Sequence, residues 1–471
     1  MDFKLVSAPR TAVLAALPLI AVLAVPGIAS ADRARVQSLG GVDLLIEDDS
    51  DIFLNPAHIG AYSNRAWFSL GVTGAGGTLG FDPHGGGAVR IRDVFNLGIV
   101  LNRSPQAYGF GNALWPVANA YIAGGPGGTL SGPDGPSEVT APLRFPVDLF
   151  VGYGNRDTAF RAGVNLYYAS GASRVWELED NDQDGLENHG VVKTQTHLFN
   201  ATFGVAVGRT TDRVRPEGWL RVGNMAAWSD EQSFRNATST FEGDPVVDRI
   251  VSMDRDLRIG GGVRVPIGDA TALRGVVVTP ALRYDVAFGS FRFDDNLVNP
   301  DSDAEQALRA ATAHHVRLGV GVAGRADDLL VVGTASVVGS FLTVTDTLIA
   351  DVGMVDEVSA ETADLAIPEV SIGAEYRVLP VLLIRAGLRS TVGGGRTIMT
   401  NKTFSGAEAD PFQDSVTQVI VPQALGVAFE ANGGIGLHVR RFALDATLGG
   451  LFLGQAGSSF FSRIDLSFSF D

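Results

Sequence analysis

From Arg65 to the carboxy terminus the chain repeats one pattern: about ten residues with an apolar side chain at every second position, a break, then another such segment. Phe95, Leu97, Ile99 and Leu101 alternate with Asn96, Gly98 and Asn102. Phe160, Ala162, Val164 and Leu166 alternate with Arg161, Gly163 and Asn165. Val316, Leu318, Val320 and Val322 oppose His315, Arg317, Gly319 and Gly321, and Ile464, Leu466, Phe468 and Phe470 oppose Arg463, Asp465, Ser467 and Ser469. A period of two is that of a strand, whose successive side chains leave opposite faces. Each segment thus has one oily side and one polar or small side.

Such strands can stack as a soluble sandwich, charged faces to water, or close as a membrane barrel, apolar faces to lipid. The connections favour closure. Long ones run roughly over 74–84, 103–142, 170–191, 228–255, 290–311, 343–366, 392–416 and 453–459. Between them fall short ones centred on Asp93, Arg156, Asp212, Asp269, Ala326, Leu379 and Arg440. Long outer loops, tight periplasmic turns and both termini inside are the habit of outer-membrane barrels. The expected fold is all-β, a transmembrane antiparallel β-barrel of about 16 strands, an even number as closure requires, over residues 65–471.

Ahead of the barrel, Lys4 and Arg10 precede an apolar core from Ala12 to Val25 and an A-x-A site, Ala29-Ser30-Ala31. Residues 1–31 read as a cleavable secretory signal peptide. The core is too short, and too interrupted by Pro18 and Pro26, for a spanning helix. Export would permit disulfides, yet the chain has no Cys, so thiolate metal sites and Cys nucleophiles are excluded. The net charge of -16 argues against a nucleic-acid partner, which needs a basic face.

Residues 32–64 read as a short amino-terminal periplasmic plug. They combine Gly40-Gly41, an acidic knot of Glu47, Asp48, Asp49 and Asp51, and the run Asn55-Pro56-Ala57. Asn-Pro fixes a turn, because Pro presets its own φ and pushes the preceding residue out of the helical region. Leu44, Leu45, Ile46, Ile52, Phe53 and Leu54 are too apolar for a disordered tail, so a compact folded linker is expected. In Gly40, Gly41, Asp48, Asp49, Asn55, Pro56 and Ala57, placed between a leader and a barrel, the segment resembles the plug, or hatch, of the FadL-type outer-membrane transporters of hydrophobic compounds. The PorV-like barrels of a bacterial secretion system share the Asn-Pro-Ala element. The resemblance covers about 30 residues closely. It implies 14 strands, which would follow if the hairpin between Trp67 and Arg92 is split once too often.

Inward positions collect Arg144, Arg161, Arg258, Arg264, Arg283, Arg317, Arg377, Arg385, Arg389 and Arg463, with Asp148, Asp285, Glu375, Asp445 and Asp465 among them. One reading is a structural network tying the wall to itself and to the acidic plug residues, since buried charges are kept when paired. The sharper one makes Arg283, Arg317 and Arg385 partners for the carboxylate of an amphipathic ligand, through the bidentate guanidinium fork. Asp180, Asp182 and Asp184, followed by Gly185, match the opening of a calcium loop, but the closing position is Val191; a solvated acidic loop is the competing reading. Trp67, Tyr153, Tyr168, Trp219, Tyr376 and Phe468 fall near strand ends, where aromatic girdles belong. Phe468 and Phe470 supply the aromatic carboxy-terminal signal that the barrel assembly machinery reads. There is no G-x-S-x-G, H-E-x-x-H or G-x-x-x-x-G-K-[ST], so no enzyme and no cofactor are expected.

The resemblance implies a monomeric barrel of the bacterial outer membrane, in contact with its lipid, that takes up long-chain fatty-acid-like hydrophobic or amphipathic small molecules passively. The alternatives are a structural or secretion-associated scaffold and a general diffusion porin. A plug-deletion conductance assay separates them: a porin conducts before deletion, a plugged transporter only after it, and a scaffold co-purifies with partner proteins.

Overall fold

The structure is a computed structural model describing residues 33–40, 44–45, 50–75, 78–103, 144–179, 188–209, 211–234, 247–268, 275–295, 306–349, 355–404, 415–448 and 461–470. Residues 1–31 therefore lie outside the described residues, as do Gly41, Asp48, Asp49, Asp180, Asp182 and Asp184.

The strands are β1 Arg65–Ala75, β2 Thr78–Ile91, β3 Phe95–Leu101, β4 Arg144–Tyr153, β5 Phe160–Glu179, β6 Asn188–Val207, β7 Glu217–Phe234, β8 Val247–Arg264, β9 Ile267–Gly268, β10 Val276–Asp295, β11 Gln306–Ala326, β12 Leu329–Ile349, β13 Val355–Leu379, β14 Leu382–Phe404, β15 Ser415–Val439, β16 Phe442–Leu448 and β17 Phe461–Ser469. The two-residue β9 continues the line of β8 beyond Pro266, and both pair with β10. Seventeen segments thus make sixteen staves, and pairing of β17 with β1 closes the sheet. Every pairing is antiparallel between chain neighbours apart from that closure. The lower figure of 14 strands is excluded, because Arg65–Ala75 and Thr78–Ile91 are separate staves in register with each other.

The alternation decides which face meets what. Phe95, Leu97, Ile99 and Leu101 are 44–52% exposed, whereas Asn96 between them is fully buried. Phe160, Leu166, Tyr168, Leu282, Tyr284, Leu318 and Ile384 are likewise exposed, and Arg161, Asn165, Asp285 and Arg385 are buried. A closed sheet with large apolar side chains outside and paired charges inside is stable only where lipid replaces water, so the protein is a bacterial outer-membrane β-barrel. The short turns use the left-handed region: Arg92 and Asp93 both take positive φ in the three-residue loop between Ile91 and Phe95, and Asp327 and Arg440 take it at the first position of the two-residue loops after Ala326 and Val439.

Two expectations need correction. β1 and β2 pair as far as Ala75 and Thr78, where a loop over 74–84 was expected, and β7, β8 and β13 to β15 run well into the other expected loops. Backbone pairing can continue through polar sequence beyond the bilayer, where no apolar alternation marks it. Trp219 and Trp67 leave the girdle: Trp219 is 7% exposed and packs inward with Leu44, Leu45 and Ala281, and Trp67 is partly buried against Ile59 and its neighbours. Tyr153, Tyr168, Tyr376 and Phe468 do face outward, at 42–53% exposure. The ladder is also interrupted on β12 to β15 between Ser336 and Val338, Ala366 and Glu369, and Gly393 and Gly395. Pro368, which has no N–H to donate, sits in the middle break.

Candidate functional site

The amino-terminal segment lies against the inner wall near the tight-turn end. Its elements are α1 Arg33–Ser38, α2 Asp51–Leu54 and a 3-10 turn Pro56–Ala61. It is not the compact linker that its apolar content suggested. The segment makes a single circuit of the lumen, touching β17 first and β2 last before it turns into β1. The Ala34 amide donates to Asp465 on β17, and Thr447 on β16 donates to the Ala34 carbonyl. Leu39 reaches β13 and β14, Leu45 reaches β11, Asp51 reaches β8, and Gly60 accepts from Arg90 on β2. Some thirty residues are too few to bury a core of their own. The described buried apolar residues therefore pack on the wall: Val36 and Leu39 on Val332, Leu44 and Leu45 on Trp219 and Ala281, Ile52, Phe53 and Ile59 on Ala88, Val100 and Phe150.

Wall glycines make the approach possible. Gly152, Gly163 and Gly204 are register partners on β4, β5 and β6. A Cβ on them would overlap the Ile59 side chain, the Pro56 carbonyl and the Asn55 side chain in turn. Gly373 and Gly387 face each other on β13 and β14 and seat the Leu39 backbone. Gly40, at φ +65°, follows in the left-handed region, where a Cβ would come within 3.1 Å of the Leu388 backbone.

Polar anchors fix the two ends of the circuit. At the first, Glu375 accepts from Arg35 at 3.0 Å and from Arg385 at 2.7 Å. Arg385 also pairs with Asp445, which His438 meets at 3.0 Å. At the second, Arg264 on β8 forks onto Asp51 at 3.2 and 2.6 Å and pairs through Nε with Glu217 on β7, whose other oxygen meets His58. Asn55 is held by both ends of its amide: Oδ1 accepts from the Ala57 amide, and Nδ2 donates to the Val205 carbonyl and to Glu217, each at 3.1 Å. This gives Asn55-Pro56-Ala57 a physical role, since the Asn caps a turn whose Pro carbonyl rests on Gly163. Phe53 completes the seat, with the Arg103 guanidinium 3.9 Å above its ring and its carbonyl accepting from Arg221 at 2.9 Å.

Burial drives the Asp51 carboxyl up to about 6 from 3.8, despite the Arg264 guanidinium beside it. A carboxyl with a higher pKa docked than free takes up protons on docking. Its contribution is complete below the free value and is lost as pH rises through about 6. Amide exchange over residues 51–59, corrected for intrinsic rates, is expected to be slower at pH 5 than at pH 7.5. The Asp51→Asn variant should show no such difference, and a wild type equally protected at both values would remove this carboxyl from the balance.

The three ligand-carboxylate candidates separate. Arg385 is sealed beneath α1, its side chain fully buried. Arg283 and Arg317 are register partners on β10 and β11, 14% and 18% exposed. Arg283 donates through Nε to Asp285 at 2.6 Å, while its buried Nη2 has no acceptor among the described residues. Arg317 meets Glu369 at 3.1 Å, and Arg389 shares that carboxylate. His314 and His315 leave opposite faces, the first meeting Tyr284 and the second Ser340. Phe468 and Phe470 face outward with their rings edge to face at 5.7 Å, and the Phe470 amide donates to Asn64 at the entry of β1.

No protein-family model matches the chain, and no curated protein does. Among solved structures it is similar to the closed form of the ferric-catecholate import receptor Fiu of Escherichia coli K12, at 9% identity over 87% of this chain and 81% of that one, with a TM-score of 0.35. It is similar to the siderophore receptor PiuA of Acinetobacter baumannii at 7% identity, over 87% and 82% of the two chains, with a TM-score of 0.29. It is also similar to the outer-membrane protease OmpT of Escherichia coli at 11% identity, over 66% of this chain and 96% of that one, with a TM-score of 0.22.

Proposed function

We propose that the barrel takes up hydrophobic or amphipathic small molecules of the long-chain fatty-acid type passively across the outer membrane, with the amino-terminal segment as its plug. The observation that carries the reading is the pair Arg283 and Arg317. They stand side by side on the inner wall, Arg283 two residues along β10 from Ala281, where the plug packs, and the buried Nη2 of Arg283 has no acceptor among the described residues. A carboxylate there would satisfy that donor, and a charge-assisted hydrogen bond is worth roughly 1.5–3 kcal/mol. The plug supports the reading too, because non-covalent anchors at its two ends allow it to shift while the wall stays intact. The likeness of Gly40 and Asn55-Pro56-Ala57 to FadL-type plugs points the same way.

Binding of a fluorescent fatty acid to the refolded barrel tests it. The double variant Arg283→Gln, Arg317→Gln is expected to weaken binding by about tenfold or more, and binding of the matching fatty alcohol should not change. Equal affinity for the acid in wild type and variant removes these residues from the site. Deleting residues 33–60 should raise conductance from near zero; conductance before deletion would favour the porin.

A further inference from the structure

Two tyrosine–histidine pairs of one construction stand on the lipid-facing side. Tyr168 Oη lies 3.0 Å from His197 Nδ1 with the rings stacked at 6.3 Å, and Tyr284 Oη lies 2.7 Å from His314 Nδ1 with centroids at 6.1 Å. Tyr168 faces Phe199 across the ladder and Tyr284 faces Val316. In each case the histidine stands two residues before that partner on the following strand. Each tyrosine is also eight residues beyond the first residue of its strand, Phe160 or Val276.

At about 3.3 Å per residue and a tilt near 40°, eight residues rise roughly 20 Å from the turn end. The apolar band of such a barrel is about 25 Å tall, so both pairs sit near its outer edge, at the level of the outer-leaflet head groups. An aromatic belt by itself needs only rings with one wet end. Here each ring is coupled to an imidazole whose Nδ1 is engaged. With the phenol O–H donating to Nδ1, the imidazole proton resides on Nε2 and each pair presents an N–H donor to the interface. Above the first pair the same outer face carries Arg174 and Lys193, register partners on β5 and β6, which add positive potential at that level.

We infer that Tyr168–His197 and Tyr284–His314 are two binding sites for the phosphate of an outer-leaflet lipid, each donating Nε2–H to a phosphate oxygen while the acyl chains lie along the apolar staves below. This assignment concerns the outside of the wall and is independent of any cargo in the lumen. Native mass spectrometry of the intact detergent-solubilised barrel tests it, with dioleoyl phosphatidic acid and dioleoylglycerol as matched probes with and without phosphate. The wild-type barrel should retain up to two phosphatidic acids. His197→Phe with His314→Phe, which keeps both rings, should lower that retention by about tenfold and leave dioleoylglycerol retention unchanged. Tyr168→Phe with Tyr284→Phe, which removes only the orienting hydroxyls, should lower it by less; heat-modifiable electrophoretic mobility confirms that each variant is folded. Equal retention of phosphatidic acid by wild type and the histidine variant overturns the assignment. Displacement of the lipid by an equal concentration of inorganic phosphate overturns it as a lipid site.

Discussion

Exchanging Arg264 for Met is expected to free the second half of the plug from the wall. The guanidinium is fully buried and is the cation shared by Asp51 of the plug and Glu217 of β7. Its loss leaves two buried carboxylates without the cation they share, and Glu217 keeps only His58 and the Asn55 amide among the partners described. Removing one partner from a buried pair costs about 3–5 kcal/mol, because the desolvated charge remains without its compensation. Docking of residues 51–59 should weaken by that amount, a factor of hundreds to thousands in amide exchange. Asp51→Asn, which leaves Arg264 with Glu217, should cost closer to 1 kcal/mol. The anchor at Arg35, Glu375 and Arg385 is separate, so residues 33–40 should keep their protection, and the barrel its heat-modifiable mobility. Since Asp51 takes up a proton below about pH 6, the penalty should shrink in acid. Wild-type exchange over residues 51–59 in the Met variant would show that this pair does not hold the plug.

What the sequence discloses follows from how far apart the interacting residues are. Strand alternation is local, and Phe95 to Leu101 or Phe160 to Leu166 read correctly because each residue's face is set by its immediate neighbours. Asn55-Pro56-Ala57 is legible for the same reason, since the cap and the turn lie within three residues. Trp219 was also within reach: Glu217 and Arg221 share its parity, and two charged residues on one face place it inward. An aromatic near a strand end suggests a girdle, but parity overrides position. The contacts between Asp51 and Arg264 and between Arg35 and Glu375 span 213 and 340 residues. A list of inward arginines and plug acids says that partners exist without saying which. Least legible were the seating glycines: parity with Arg161 and Asn165 turns Gly163 inward and parity with Val331 turns Gly333 outward, but nothing local says that the plug passes over the first.

That difference yields the second large effect. Gly163→Val is expected to unseat Asn55 to Ile59 altogether. The atom above Gly163 is the Pro56 carbonyl, with the Ala57 amide beside it, so a Cβ collides with backbone that cannot rotate aside. Gly152 and Gly204 flank it in register and carry Ile59 and Asn55, so lifting Pro56 lifts its neighbours from their seats as well. Overpacking alone costs typically 1–3 kcal/mol. Here the displacement also breaks the Asn55 bonds to Val205 and Glu217 and draws His58 from Glu217, each worth about 1 kcal/mol or more. The sum is comparable with the loss of Arg264, and its steric part, unlike that loss, does not depend on pH. Gly333→Ala is the control: a Cβ there meets nothing nearer than the Ser371 carbonyl at 3.8 Å, and a strand residue gains slightly by losing glycine's freedom. Limited proteolysis of the folded barrel should cut residues 50–62 in Gly163→Val and spare them in wild type and Gly333→Ala. Equal resistance in all three would mean that the plug tolerates a side chain beneath Pro56 and that the glycine row does not determine its seat.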